Sequence, residues 1–162
     1  NLGTVVFGGK QERGLRPGTL NVPGIAGLGA ACALQSERGP EFSATVKALR
    51  DRLQEGVFAG LEDLVLNGCP DSRHPGNLNI SVRGLTGEEI IGALPEIAFS
   101  TGSACASASG GGSYVIAALG ADKERMAGAV RFGVSKANTV EDIDYVVKRF
   151  VEVVHRLRER RG

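Results

Sequence analysis

The stretch Leu78-Asn79-Ile80-Ser81-Val82 alternates between apolar and polar side chains. Successive side chains of a strand point to opposite faces, so this pattern predicts a strand that is buried on one face only. Residues 129–135 alternate in the same way and predict a second strand of this kind. Strands with one apolar and one polar face are typical of an antiparallel sheet that packs on a core from one side.

Helical patterns surround these two strands. Apolar residues recur at helical spacing in residues 41–58, and capping-box patterns begin helices after Thr86 and Thr139. Further helices are expected at residues 23–35 and 113–119, with a chain break at Gly39-Pro40. Further strands are expected at residues 2–7, 64–66 and 97–100. Strands and helices interleave without regular βαβ units, which predicts an α+β fold: a small, mostly antiparallel sheet covered by helices.

Composition narrows the classes of function. The chain has 162 residues, 42% of them hydrophobic and 23% charged, with a net charge of +1. The cations are scattered and tryptophan is absent, so the sequence gives no sign of nucleic-acid binding. No apolar run is long enough to span a membrane. Three widely spaced cysteines and two histidines favour neither a zinc site nor a disulfide framework, which points to a reducing, cytoplasmic setting.

Cys105 lies in a segment of small and hydroxylated residues, Ser100-Thr101-Gly102-Ser103-Ala104-Cys105-Ala106-Ser107. Such a segment buries little apolar surface and has a permissive backbone, which favours an accessible nucleophile on a loop. The alternative is that this thiol is a small buried hydrophobe, as most free cysteines are. Cys32, in an alanine-rich helix, is interpreted as a packing residue, and Cys69 is expected in an exposed turn.

Two further features suit anion binding. Arg131 interrupts an alternating strand, where it either faces solvent or holds a carboxylate through two parallel hydrogen bonds. Residues 11–19 combine arginines, glycines and the Thr19 hydroxyl, a composition that suits either a loop holding a phosphate or carboxylate or an ordinary charged surface loop.

Taken together, four segments resemble the C-terminal part of a cysteine desulfurase, a pyridoxal-phosphate enzyme of fold type I in the class V aminotransferase branch. The four segments are residues 8–23, 77–81, 100–107 and 130–135. They follow the order of that family, and the resemblance they carry extends along nearly the whole chain. The resemblance implies that residues 1–38 are the tail of the large cofactor-binding domain. It implies that residues 39–162 form the small C-terminal domain, including the Cys105 loop.

The resemblance also implies roles for single residues. The position matching Cys105 takes the sulfur of L-cysteine and becomes a persulfide, while L-alanine is formed. The position matching Arg131 binds the substrate carboxylate, and the position matching Thr19 reaches the cofactor phosphate of the neighbouring subunit in a homodimer. Arg16 is expected to order the loop that carries Thr19. The persulfide would pass to acceptor proteins, such as an iron–sulfur scaffold, or to tRNA thiolation.

The cofactor lysine of that family lies in a Ser-x-His-Lys segment, and the 162 residues contain no such segment. Lys10 lies in a different motif and is not assigned this role. We therefore expect the chain to be a portion of the enzyme that is inactive without a missing N-terminal half. Three alternatives stay open at this point: a sulfur carrier without cofactor chemistry, an inert folded fragment, and a related class V enzyme such as a selenocysteine lyase.

Overall fold

A computed structural model describes residues 3–101 and 113–161. The chain divides into two compact units, one ending at Pro40 and the other beginning at Glu41. The described elements, in chain order, are a short 3-10 helix at Glu12–Gly14, α1 (Val22–Gly60), β1 (Leu64–Leu66), β2 (Asn77–Val82), α2 (Gly87–Gly92), α3 (Tyr114–Ala118), α4 (Lys123–Ala127), β3 (Ala129–Gly133) and α5 (Val140–Glu159).

Within the described residues, the strands form one antiparallel sheet in the order β1-β2-β3. Leu66 pairs with Ile80 across the first ladder, and Ile80 pairs with Val130 across the second. The even-numbered residues of β2 are fully buried, which confirms the interpretation of residues 78–82 as a strand with one apolar face. The α+β class with a small antiparallel sheet is likewise confirmed.

The core of the second unit lies between this apolar sheet face and two helices. The predicted stripe on residues 41–58 is buried from Val46 onward, and α5 contributes its own apolar face. Gly56 and Gly60 allow the two helices to approach closely, since a Cβ atom at either position would lie within 2.8 Å of a valine side chain of α5. The buried members are Val46, Leu49, Leu53 and Val57 of α1, and Ile143, Phe150, Val153 and Val154 of α5.

Local capping signals determine where most of these helices begin. Thr86 with Glu89, and Thr139 with Asp142, form the reciprocal hydrogen bonds of capping boxes, as predicted. Ser113 stands at the predicted N-cap of α3, although its hydroxyl makes no capping bond. The sequence interpretation missed α4, which begins where the Asp122 carboxylate accepts a hydrogen bond from the Arg125 amide.

Several predictions of secondary structure were wrong. Helix α1 continues through Gly39-Pro40 although both residues are poor helix formers, because a proline removes only one helical hydrogen bond and the strong helix formers Ala33, Leu34 and Gln35 precede the pair. Residues 3–7 form no strand, since no described strand pairs with them, and Val5 and Phe7 are exposed. The strand expected at residues 97–100 is reduced to one bridge between Ser100 and Arg131.

The capping box of α2 makes part of the stability depend on pH. The backbone N–H and hydroxyl of Thr86 donate to the Glu89 carboxylate and hold its pKa below the usual 4.5. A lowered pKa in the folded state means that this stabilisation is present above pH 4.5 and is lost as the pH falls through the folded value. We expect Glu89→Gln to cost about 0.5 kcal/mol at pH 7, a small value because the carboxylate is partly exposed to solvent.

Urea denaturation at pH 7 and pH 3 would measure this effect. The difference in unfolding free energy between the parent chain and Glu89→Gln should be smaller at pH 3 than at pH 7. At pH 3 the Glu89 carboxylate becomes protonated and loses its stabilising charge, whereas glutamine is neutral at both pH values. Glu88→Gln changes the neighbouring exposed carboxylate, which makes no capping bond, and serves as the control. A difference that stays constant between the two pH values would contradict the assignment.

Candidate functional site

Arg131 lies at the centre of β3, on the polar face of the sheet. Its backbone N–H donates to the Ser100 carbonyl at 2.6 Å, and its carbonyl accepts from the Ser100 N–H at 3.1 Å. The side chain is exposed, and its guanidinium has no hydrogen bond or ion pair with any residue that the structure describes. Five N–H donors are therefore uncommitted, which suits the binding of an external carboxylate.

Asn79 lies directly opposite Arg131 on β2, so the two side chains share one face. The Asn79 Oδ1 atom accepts a hydrogen bond from Asn67 Nδ2 at 2.7 Å. Asn67 also donates to Ser81 Oγ at 2.8 Å and accepts from Arg125 Nε at 2.8 Å. Sequence reasoning missed this network: alternation placed Asn79 on the polar face, but Asn67 and Arg125 come from other elements.

Thr19 belongs to the first unit, where it lies at the end of the loop before α1. The Arg16 guanidinium donates from Nη1 to the carbonyls of Gly18 at 3.0 Å and Thr19 at 2.8 Å. Gln11 Oε1 accepts from the Gly18 N–H at 3.2 Å, and Gly18 itself has a φ of +88°, a conformation that favours glycine. These bonds confirm the expectation that Arg16 orders the loop carrying Thr19.

The cysteines differ in what the structure describes. Cys105 lies outside the described residues. Cys69 is exposed, as expected, and its Sγ accepts from the Ser72 N–H at 3.4 Å. Cys32 is also exposed, so the interpretation of this residue as packing was wrong. The reason is that residues 22–38 of α1 are exposed, so none of the described residues forms a core around Cys32.

The described residues fit one part of a pyridoxal-phosphate site. The Thr19 hydroxyl is exposed and makes no hydrogen bond within the described chain, so it is available to a phosphate oxygen. Arg16 is already committed to two carbonyls, and the described lysines are not set in a Ser-x-His-Lys segment. The described part of the chain holds no group of three or more metal-ligating side chains. None of its helices combines the length and apolar character needed to cross a membrane.

Known proteins are similar to this chain along almost its whole length. It is 46% identical over 152 residues to the cysteine desulfurase IscS of Anaeromyxobacter sp. (strain Fw109-5), and the match covers 94% of this chain but 38% of the relative. The mitochondrial cysteine desulfurase of Saccharomyces cerevisiae is 44% identical over 158 residues, which are 98% of this chain and 32% of the relative. The chain thus spans about a third to two fifths of the length of these curated relatives.

Solved structures agree with these relatives. A NifS-like protein from Rickettsia africae superposes with a TM-score of 0.80 at 27% identity, covering 96% of this chain and 41% of that structure. Another NifS-like protein gives a TM-score of 0.79 at 28% identity, covering 94% and 38% respectively. The family model for aminotransferase class-V matches residues 7–146. This chain belongs to the class-V aminotransferase family.

Proposed function

We propose that this chain is the C-terminal portion of a cysteine desulfurase, and that its own residues bind the substrate and accept the sulfur. The observation that carries the proposal is Arg131: an exposed guanidinium without a described partner, on the polar face of a strand whose backbone is bonded to Ser100. The names of relatives that are 40–46% identical support the same activity. The reaction takes sulfur from L-cysteine and releases L-alanine.

Arg131 orients the substrate by its carboxylate, because a guanidinium donates two parallel hydrogen bonds to the two carboxylate oxygens. Pyridoxal phosphate, when bound, supplies the electron sink that such chemistry needs. The Cys105 thiolate accepts the sulfur atom, so one C–S bond of the substrate is replaced by one S–S bond on the protein. The resulting persulfide is then passed to an acceptor protein for iron–sulfur cluster assembly or tRNA thiolation.

The assembled enzyme is proposed to be a cytoplasmic homodimer. In it, the Thr19 hydroxyl donates a hydrogen bond to the cofactor phosphate of the neighbouring subunit. The free hydroxyl of Thr19 and the hydrogen bonds that order its loop support this role. Residues 1–38 are assigned to the large cofactor-binding domain and residues 39–162 to the small domain. The cofactor lysine has to come from outside this chain, so the chain alone is expected to turn over no cysteine.

Intact-mass measurement tests this proposal. The chain is incubated with L-cysteine and pyridoxal phosphate, alone and together with the N-terminal segment of the Anaeromyxobacter relative. We expect a mass gain of one sulfur atom, mapped to Cys105, only when the segment is present. Cys105→Ser should abolish the gain, whereas Cys32→Ser and Cys69→Ser, which change the two exposed cysteines, should retain it.

Other outcomes would contradict the proposal in different ways. A gain without the added segment would mean that the chain has its own complete cofactor site. A gain that survives Cys105→Ser would place the sulfur acceptor elsewhere. No gain in either mixture, with a folded chain, would favour a carrier module or an inert piece over a desulfurase.

A further inference from the structure

The polar face of the sheet is covered at one end and open at the other. At the covered end, Ser81 and Ala129 are buried, and Ser81 Oγ donates to the Arg125 carbonyl of α4 at 2.7 Å. At the open end, Arg131 is exposed, and a Cβ atom built on Gly133 would meet none of the described atoms within 4 Å. Within the described residues, the open half therefore has room for a small molecule directly beside Arg131.

A chain of hydrogen bonds determines which way the Asn79 amide points. A guanidinium only donates, so the Asn67 atom that meets Arg125 Nε at 2.8 Å has to be the carbonyl oxygen. The other Asn67 atom is then the NH₂ group, which donates to Asn79 at 2.7 Å. Asn79 therefore accepts this hydrogen bond with its Oδ1 atom. Its own NH₂ group is the last donor of the chain of hydrogen bonds. The orientation follows from the fixed chemistry of Arg125.

The NH₂ group of Asn79 has no acceptor among the residues that the structure describes. The backbone of Arg131 directs both its N–H and its carbonyl to Ser100, so both point away from β2. Asn79 and Arg131 are thus a non-hydrogen-bonded cross-strand pair, the closer of the two antiparallel spacings. The Asn79 NH₂ group and the Arg131 guanidinium only donate hydrogen bonds, and the guanidinium is a cation. The complementary ligand is therefore an anion with several acceptor oxygens.

We propose that Asn79 is a second substrate-binding residue, which donates its side-chain N–H to the carboxylate held by Arg131. Asn67 and Arg125 are positioning residues, because they act only through the Asn79 amide. The inference rests on the proposed function for the identity of the carboxylate, which is that of L-cysteine. It adds a specificity element: a carboxylate is bound in preference to a neutral amide of the same shape, which would present N–H groups to Asn79 and Arg131.

The test is an equilibrium measurement that needs no turnover. Calorimetry compares the binding of 3-mercaptopropionate and its neutral amide to the assembled enzyme, formed from this chain, the N-terminal segment and pyridoxal phosphate. The parent enzyme should bind the acid at least about tenfold more tightly than the amide, since hydrogen bonds to a charged group are the strong ones. Asn79→Asp keeps the oxygen that Asn67 needs but replaces the N–H donors with a negative charge that pairs with Arg131. It should weaken binding of the acid by about 10- to 100-fold and abolish the preference.

Matched variants keep the result interpretable. Asn138→Asp makes the same change at another half-buried asparagine, whose Oδ1 accepts from Ser135, and should bind the acid as the parent does. If Asn79→Asp proves unfolded by circular dichroism, Asn79→Ser replaces it, with an expected loss of about tenfold. The inference is overturned if the folded Asn79 variant binds the acid within twofold of the parent, or if the parent shows no preference for the acid. Absence of desulfurase turnover in the parent would instead contradict the proposed function alone.

Discussion

Replacing Phe150 with alanine is expected to lower the unfolding free energy by about 3–5 kcal/mol. Phe150 is fully buried, and its ring meets the rings of Phe132 and Phe99 edge-to-face, with centroids 5.4 and 6.3 Å away. The rings of Phe99 and Phe132 stack on each other at 5.1 Å. Truncation therefore removes a large apolar group, its aromatic contacts and the filling of the space between α5 and the sheet.

The cluster of Phe99, Phe132 and Phe150 also packs against the face of the sheet opposite the candidate site. Phe132 follows Arg131 in β3 and points to the opposite face, while Phe99 precedes Ser100, whose backbone bonds to Arg131. The loss in Phe150→Ala should therefore appear as lower stability and as poorer ligand binding together. Urea denaturation followed by circular dichroism measures the first quantity.

Two companion variants separate packing from bulk hydrophobicity. Phe150→Leu retains most of the apolar volume and should cost about 1–1.5 kcal/mol. Phe58→Ala removes the same side chain at a position that is 38% exposed, and it should cost clearly less than Phe150→Ala. A loss below about 1 kcal/mol in Phe150→Ala would mean that the ring is not part of a close-packed core.

The features that sequence predicted well are those set by neighbours along the chain. The capping boxes at Thr86 and Thr139 use partners three residues away, and the alternation in residues 78–82 reports directly on strand faces. Local patterns of this kind survive folding because the same few residues supply both donor and acceptor. Such local patterns are sufficient to predict the α+β class without any tertiary contact.

The features that sequence missed depend on distant partners. Residues 3–7 have strand-like composition, but a strand needs a neighbour for its hydrogen bonds, and none is described there. The sequence placed Arg131 on a strand but did not show whether its side chain is covered. Arg131 is exposed because α4 covers only the end of the polar sheet face that contains Ser81. The amide orientation of Asn79 depends on Arg125, 46 positions away in sequence, through Asn67. Spacing along the chain cannot reveal such a network.

Replacing Arg131 with glutamine is expected to lower kcat/KM for L-cysteine by about 100- to 1000-fold in the enzyme assembled with pyridoxal phosphate. The reason is the loss of two parallel, charge-assisted hydrogen bonds to the substrate carboxylate. Arg131→Lys keeps the charge but not the planar pair of donors, so it should recover about a tenth of the parent activity. Steady-state kinetics with L-cysteine, following the formation of L-alanine, would measure both variants.

The same substitution should leave the fold intact, and this contrast is the strongest test of the assignment. The Arg131 guanidinium bonds to no described residue, so glutamine breaks no internal hydrogen bond, and the unfolding free energy should change by less than about 0.5 kcal/mol. Arg160→Gln, at the exposed end of α5, controls for the loss of one positive charge and should leave both kinetics and stability unchanged.

If Arg131→Gln lost stability in the manner of Phe150→Ala, the arginine would be a structural residue. If it retained full activity, the substrate carboxylate would be bound elsewhere. Large loss of activity with unchanged stability is the result that assigns Arg131 to the substrate, because the lost activity could not then be attributed to a damaged fold.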